Sequence, residues 1–174
     1  GHANNGDGSA QIGEMNTSTG AITWNTTAII VDDSQNGRTL GMDVAFDASA
    51  GKFLIQYTKG EETSGDRDIH IVVATPSGTG SSSTLSLGTP VELINEKTYG
   101  GNGNSTFLQY DEDLGVSVAF FINSGTTRLN GSVISISGTT PSETLTFDRQ
   151  HDLNRLVNYN ALTGGTGHVD GTYR

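Results

Sequence analysis

The stretch Met42-Asp43-Val44-Ala45-Phe46-Asp47, four residues to Gly51, and then Lys52-Phe53-Leu54-Ile55-Gln56-Tyr57 decides the fold, because it recurs. The second copy is Ser105-Thr106-Phe107-Leu108-Gln109-Tyr110-Asp111, four residues to Gly115, and then Val116-Ser117-Val118-Ala119-Phe120-Phe121. In both, an extended run ends in an aromatic residue and Asp, a tight turn reaches Gly, and a second run ends in an aromatic. Asp111 lies 64 residues beyond Asp47 (111 − 47). A third, weaker copy is Leu156-Val157-Asn158-Tyr159-Asn160, with Gly164 four residues on. Self-similarity on this scale predicts small supersecondary units that cannot bury a core alone and must pack on their neighbours.

Two more runs complete the unit. Ile69-His70-Ile71-Val72-Val73-Ala74 and Gly131-Ser132-Val133-Ile134-Ser135-Ile136-Ser137 read as strands. Each is followed by a small-residue turn, Pro76–Ser81 or Gly138–Ser142, and then by a short strand, Thr84–Leu87 or Thr144–Phe147. Strands a, b, c and d thus make one repeat. The N-terminus enters part-way through: Ala10–Met15 fits c, Asn16–Gly20 the turn and Ala21–Trp24 strand d. The expected units of this single repeat domain (1–174) are 10–31 (a half repeat), 40–94, 104–153 and a partial 154–174. No segment carries helical periodicity. Val44, Phe46, Leu54, Val72, Leu108, Tyr110, Val118, Val133 and Ile136 are the expected core. Gly51 and Gly115 are expected at positive φ or in tight backbone packing, which only Gly tolerates cheaply.

The expected fold class is all-β, with antiparallel four-stranded repeats in a β-propeller-like arrangement; a β-sandwich or jelly roll is the alternative. Two whole units and a split one make three blades, against roughly four to eight in ordinary propellers. The chain, which lacks an initiator Met, therefore reads as a processed chain, one bearing a tag remnant, or an excerpt. It is expected to pair with other copies, two chains giving six blades, or to belong to a larger polypeptide or particle. The contact-forming edges would be Ala10–Met15 and Leu156–Tyr159, because unpaired strand edges are avoided.

Composition narrows the function classes. Of 174 residues, 33% are hydrophobic and 24 are Gly, a profile of short strands and many turns. The net charge is −10, and the 9 Lys and Arg are scattered, so phosphate backbones are repelled and nucleic-acid binding is not expected. There are no Cys residues, which excludes disulfides and thiolate chemistry. No apolar run reaches the roughly 18–20 residues that span a bilayer, and no membrane insertion is expected. There is no Gly-x-Ser-x-Gly elbow. The four His are dispersed, without metal-ligand spacing; His168-Val169-Asp170 offers one ligand at most. Glu61-Glu62 and Asp66/Asp68 flank a polar turn, where solvated loop carboxylates are the simplest reading. The chain is expected not to be an enzyme.

Four positions and one loop remain as candidate sites. Asp47 and Asp111 recur at a turn entry, where the carboxylate would accept backbone N–H bonds two residues on. Calcium ligation by Asp47, Asp111 and Asp113 is the competing reading, and calcium the only cofactor considered; neither Asp111-Glu112-Asp113 nor Asp32–Gly37 completes a twelve-residue calcium loop. Trp24, the single Trp, is either a core residue of strand d or a platform for a sugar face. Tyr99, Asn102 and Asn104, in the Gly-rich patch Tyr99–Asn104, combine contact area with hydrogen bonding as recognition loops do.

In strands a to d the chain resembles the propeller-like repeats of tail-fibre and other virion structural proteins of tailed phages, of the marine and cyanophage type. The shared motif is aromatic-Asp, a turn, Gly, an apolar strand, a Gly-x-Val strand ending in Gly-Thr, and an apolar-x-aromatic close. It matches Phe46-Asp47…Gly51, Tyr110-Asp111…Gly115, Gly131–Thr139 and Leu85–Val91, over roughly residues 10–160. Asn160 stands where the motif has Asp, and Asp148 follows Phe147 where it has Gly. The resemblance implies a structural or adhesive role on a virion surface or otherwise extracellular. Its partners would be other copies, other virion proteins or a host-surface glycan, and it supplies no catalytic residues. A carbohydrate-binding lectin or polysaccharide depolymerase module is the first alternative, and a bacterial cell-surface adhesin domain the second.

Overall fold

In the computed structural model the described residues are 6–32, 37–61, 67–94, 106–123, 128–148 and 151–152. The third copy at Leu156–Asn160, and with it the unit 154–174, lies outside them.

The described residues form an all-β, antiparallel structure of repeated sheets. The first complete repeat is β5 (Gly37–Asp47), β6 (Lys52–Glu61), β7 (Arg67–Ser77), β8 (Thr84–Leu87) and β9 (Val91–Ile94). The second is β10 (Thr106–Asp111), β11 (Val116–Asn123), β12 (Arg128–Ser137), β13 (Thr144–Phe147) and β14 (His151–Asp152). Strands a to d fall where the alternation of apolar residues puts them, and neighbours in sequence are neighbours in the sheet. A 3₁₀ turn, Gly80–Ser82, connects β7 to β8.

Each unit has a fifth strand, e, that the repeat read from sequence lacks. The long strand β7 pairs along one side with β6, while its other side is divided: Ala74–Ser77 pair with β8, and Ile69–Ile71 with β9. β12 repeats this, taking β13 at Ile134–Ser137 and β14 at Asn130–Gly131. The N-terminal half repeat obeys the same rule in fragments. β1 (Gly8–Ala10) pairs with β4 (Ile29–Asp32), and β2 (Gly13–Met15) with β3 (Ile22–Trp24), so β1 and β2 together are strand c, β3 is d and β4 is e.

The units stack face to face. Leu54, Ile71 and Val73 on one face of the β5–β9 sheet pack with Leu108, Ala119, Ile134 and Leu145 of the second repeat. Ile55, Tyr57, Val72 and Ala74, one residue out of phase along the same strands, point the other way and pack on Val31 of the half repeat. The first complete repeat is therefore the middle layer. This explains why β6 and β7 are apolar on both faces, as strands covered on both sides must be.

The layer order corrects part of the expected core. Leu54, Val72 and Leu108 are buried, but Val44 and Phe46 are exposed, and Tyr110, Val118, Val133 and Ile136 are half-buried. Val44 and Leu108 occupy the same place in their repeats, yet Val44 is 57% exposed and Leu108 7%. Leu108 lies on β10, which packs beside β5 of the preceding layer. Among the described residues Val44 has no such neighbour, because those of the half repeat before it form strands c, d and e. Val118 and Val133 correspond to Leu54 and Val73 but face away from the first repeat, and among the described residues no following layer covers them.

The turns behave as their chemistry requires. Asp111 Oδ1 accepts the amides of Asp113 and Leu114 at 3.0 Å each, and the Gly115 amide donates to the Asp111 carbonyl at 2.8 Å. Gly51 and Gly115 both sit at φ +65°, with open space where a Cβ would project. The requirement is thus conformational and not steric, and tight packing plays no part. Gly115→Val should destabilise by about 1–2 kcal/mol, from the cost of a β-branched residue in the left-handed region. Gly115→Asn, which tolerates that region, should lose clearly less. Paired urea melts of the two variants check this.

Candidate functional site

Of the candidate residues, Tyr99, Asn102 and Asn104 lie outside the described residues, as do His2, His168 and Asp170. Glu62 and Asp66 also lie outside them. Trp24, Asp47, Asp111 and Asp113 are placed, and they do not converge on one site.

Asp47 ends β5 and is almost completely buried. Its Oδ1 accepts from Ser49 Oγ at 2.5 Å and the Ala50 amide at 2.9 Å, and its Oδ2 from Ser117 Oγ at 2.9 Å. Burial pushes this carboxyl up, but the bonds from Ser49, Ala50 and Ser117 outweigh it and hold the pKa below the usual value. Both oxygens are thus committed to hydrogen-bond donors, one of them from the next repeat. Asp111 makes the corresponding turn at the surface, and Asp113 serves it with its backbone amide. The geometry at both positions is that of the capped turn.

Trp24 is 55% exposed on β3, so of its two readings the core one does not hold. A Cβ added to Gly13, its partner across the β2–β3 ladder, would come within 2.8 Å of the indole ring, so the ring lies over Gly13. Met15 and Ile22, the next pair along, are also exposed. This hairpin presents Trp24, Met15 and Ile22 to solvent, while Glu14, on the other face of β2, accepts the Gly80 amide with its carboxylate.

A groove of about 470 Å³ runs between the half repeat and the middle layer. Ala10, Ile12 and Gly13 form one wall, and Met42, Val44, Phe53, Ile55, Ala74 and Leu85 supply most of the other. Phe46, which packs on Phe53 with ring centroids 4.9 Å apart, extends the apolar surface. Such surfaces mark interaction sites when they are contiguous. Val44 and Phe46 were legible as apolar; that they line an open face follows from their place opposite the half repeat, whose described residues form strands c, d and e.

The repeats are also tied by a buried ion pair that sequence reasoning did not find. Lys52 Nζ contacts Glu143 Oε1 at 2.8 Å, the two side chains being 13% and 1% exposed. Thr140 Oγ1 and Thr75 Oγ1 also donate to Oε1. Burial pushes the Glu143 carboxyl up, but the Lys52 and Thr140 bonds outweigh it and bring the pKa down to about 2.

A further cluster lies on the face of the middle layer that looks toward the half repeat. Ligand atoms of Asp68, His70 and Glu92 all fall within 4.8 Å of one another, and no other group of three or more His and acidic residues among the described residues is this close. The register explains it: Asp68 and His70 are two apart on β7, and Glu92 on β9 stands directly opposite His70. Tyr57, opposite His70 on β6, stacks on the imidazole with centroids 5.5 Å apart and planes 15° apart. Burial pushes the His70 pKa down, partly opposed by Glu92 and aided by Lys59. Burial and the nearby Asp32 charge push the Tyr57 hydroxyl up to about 12.

No family model, curated protein or solved structure matches the chain. Among the described residues no helix is long and apolar enough to cross a membrane.

Proposed function

We propose that this chain is a non-enzymatic structural module of a virion surface, on a tail, fibre or capsid, that builds by adding repeat upon repeat. The observation that carries this reading is the open face at Met42, Val44 and Phe46. The same positions in the second repeat are covered by the layer before them, so the surface that fits here is an a–b strand pair of the same repeat type. A second copy of this chain, or a virion protein with such repeats, can supply it. Propeller-like closure of the stack is then a property of the assembly, and receptor binding is a role that such a surface module can take.

Light scattering on the purified chain tests the assembly. The mass should rise with concentration, and Val44→Lys with Phe46→Lys should hold the chain at monomer mass, because a charge cannot be buried unpaired in an apolar contact. A wild-type chain that stays monomeric at high concentration refutes the reading. Antibodies to the chain should also label purified particles of the phage that encodes it.

The exposed Trp24 favours a second reading, a lectin module for a host glycan. Aromatic rings held flat to solvent stack on the apolar faces of sugars, and Trp24 is so held by Gly13. Glycan-dependent quenching of the single Trp, lost in Trp24→Ala, would establish it; unchanged fluorescence across a glycan panel would exclude Trp24 as a sugar platform. Product release from a polysaccharide would separate a depolymerase from a lectin.

A further inference from the structure

We propose that Asp68, His70 and Glu92 bind a divalent first-row transition metal ion of the zinc type, clamping the short strand β9 to the long strand β7. Two carboxylates and one imidazole within 4.8 Å of each other form a three-ligand set of the kind that leaves a fourth position open to water. The mixture of nitrogen and oxygen donors favours zinc-like ions over calcium, which takes six to eight oxygens. The two carboxylates bring a charge that balances a divalent cation.

Three further observations support the site. First, ring orientation is fixed before any ion arrives, because Tyr57 stacks nearly parallel on His70. Second, the site needs no rearrangement of the sheet, because the pairing of His70 with Glu92 already sets both on the same face as Asp68. Third, the ligand set is not demanded by the repeat. At the corresponding places of the second repeat the sequence has Arg128 for Asp68, Asn130 for His70 and Asp152 for Glu92, and Asn130 pairs with Asp152 just as His70 pairs with Glu92. The strand geometry recurs; the ligands do not. The ion would act where the sheet is weakest, since β9 is held to β7 through three residue pairs with a register shift among them.

Equilibrium dialysis of the metal-stripped chain against Zn²⁺ or Ca²⁺, with metal counted by atomic absorption, tests the site. Thermal melts with and without each ion are run in parallel. The expected result is one Zn²⁺ per chain, a melting temperature raised by Zn²⁺ and not by Ca²⁺, and zinc affinity at least about tenfold weaker in both Glu92→Ala and His70→Gln. Glu92 is exposed, so Glu92→Ala should melt like the wild type without metal, which separates ligand loss from misfolding. No zinc bound, or zinc bound equally by wild type and Glu92→Ala, as His2, His151 or His168 could bring about, overturns the proposal. A layer assembly that fails by light scattering leaves this result unaffected, because all three ligands belong to one sheet.

Discussion

Ala119→Asp should yield no folded protein. Ala119 is completely buried on β11, between Leu54 of the first repeat and Leu108 and Ile134 of its own. A carboxylate there has no partner, and burying it costs several kcal/mol out of a total that for a domain is roughly 5–15 kcal/mol. The adjacent Val118 points to the opposite, half-covered face, so Val118→Asp should stay folded with a lowered melting temperature. Far-ultraviolet circular dichroism and melting curves of the two variants read the layer order directly. Equal damage from both would mean that the faces of β11 are wrongly assigned.

Lys52→Met should cost about 3–5 kcal/mol at neutral pH, the usual penalty for leaving one member of a buried pair without its counter-charge. Lys52 begins β6 and Glu143 precedes β13, so the loss falls on the junction between repeats. The pH dependence identifies the cause. The Glu143 pKa is depressed from 4.5 in the free chain to about 2 in the fold. Its contribution is therefore fully present above about pH 4.5 and is lost as the pH falls toward 2. In Lys52→Met the carboxylate no longer has its cation, so the gap between variant and wild type should narrow as acid protonates it. Urea melts from pH 7 to pH 3 check this; a gap independent of pH would mean that Lys52 acts through packing alone.

Much of the fold was legible in sequence, and what escaped has physical reasons. The aromatic-Asp…Gly turns could be read because their chemistry is local: Asp111 caps its own turn, and Gly115 takes its own positive φ. Strands c and d were legible from alternation and turn length. The exposure of Val44 and Phe46 was not, because whether a strand face is covered depends on the neighbouring layer and not on the strand. Alternation assigns two faces to a strand but cannot say which has a partner. Strand e was missed because Val91–Ile94 is short and begins beside Pro90, at a place that reads as a loop. The candidate sites fared similarly. Trp24 was visible as a lone aromatic, yet its exposure arises from Gly13 across the ladder. Asp68, His70 and Glu92 are adjacent only through the pairing of β7 with β9, over a separation of more than twenty residues. The signal that could have found them was the Glu92 of strand e, once that strand is aligned with the start of c.

The divided edge of each long strand also bears on how such a protein can change. Strand c is anchored along its length by one continuous neighbour, while its other side is shared by two short strands that meet near its middle. The chain between those two strands, at Gly88–Pro90 in the first repeat, is pinned at both ends to the same scaffold. Added residues there would leave every ladder in register, and closing a longer loop costs little, each doubling of length adding only about 0.6 kcal/mol. The point where the two short strands meet is therefore the natural place for lineages of this architecture to diverge, acquiring new loops while the stack beneath them stays the same.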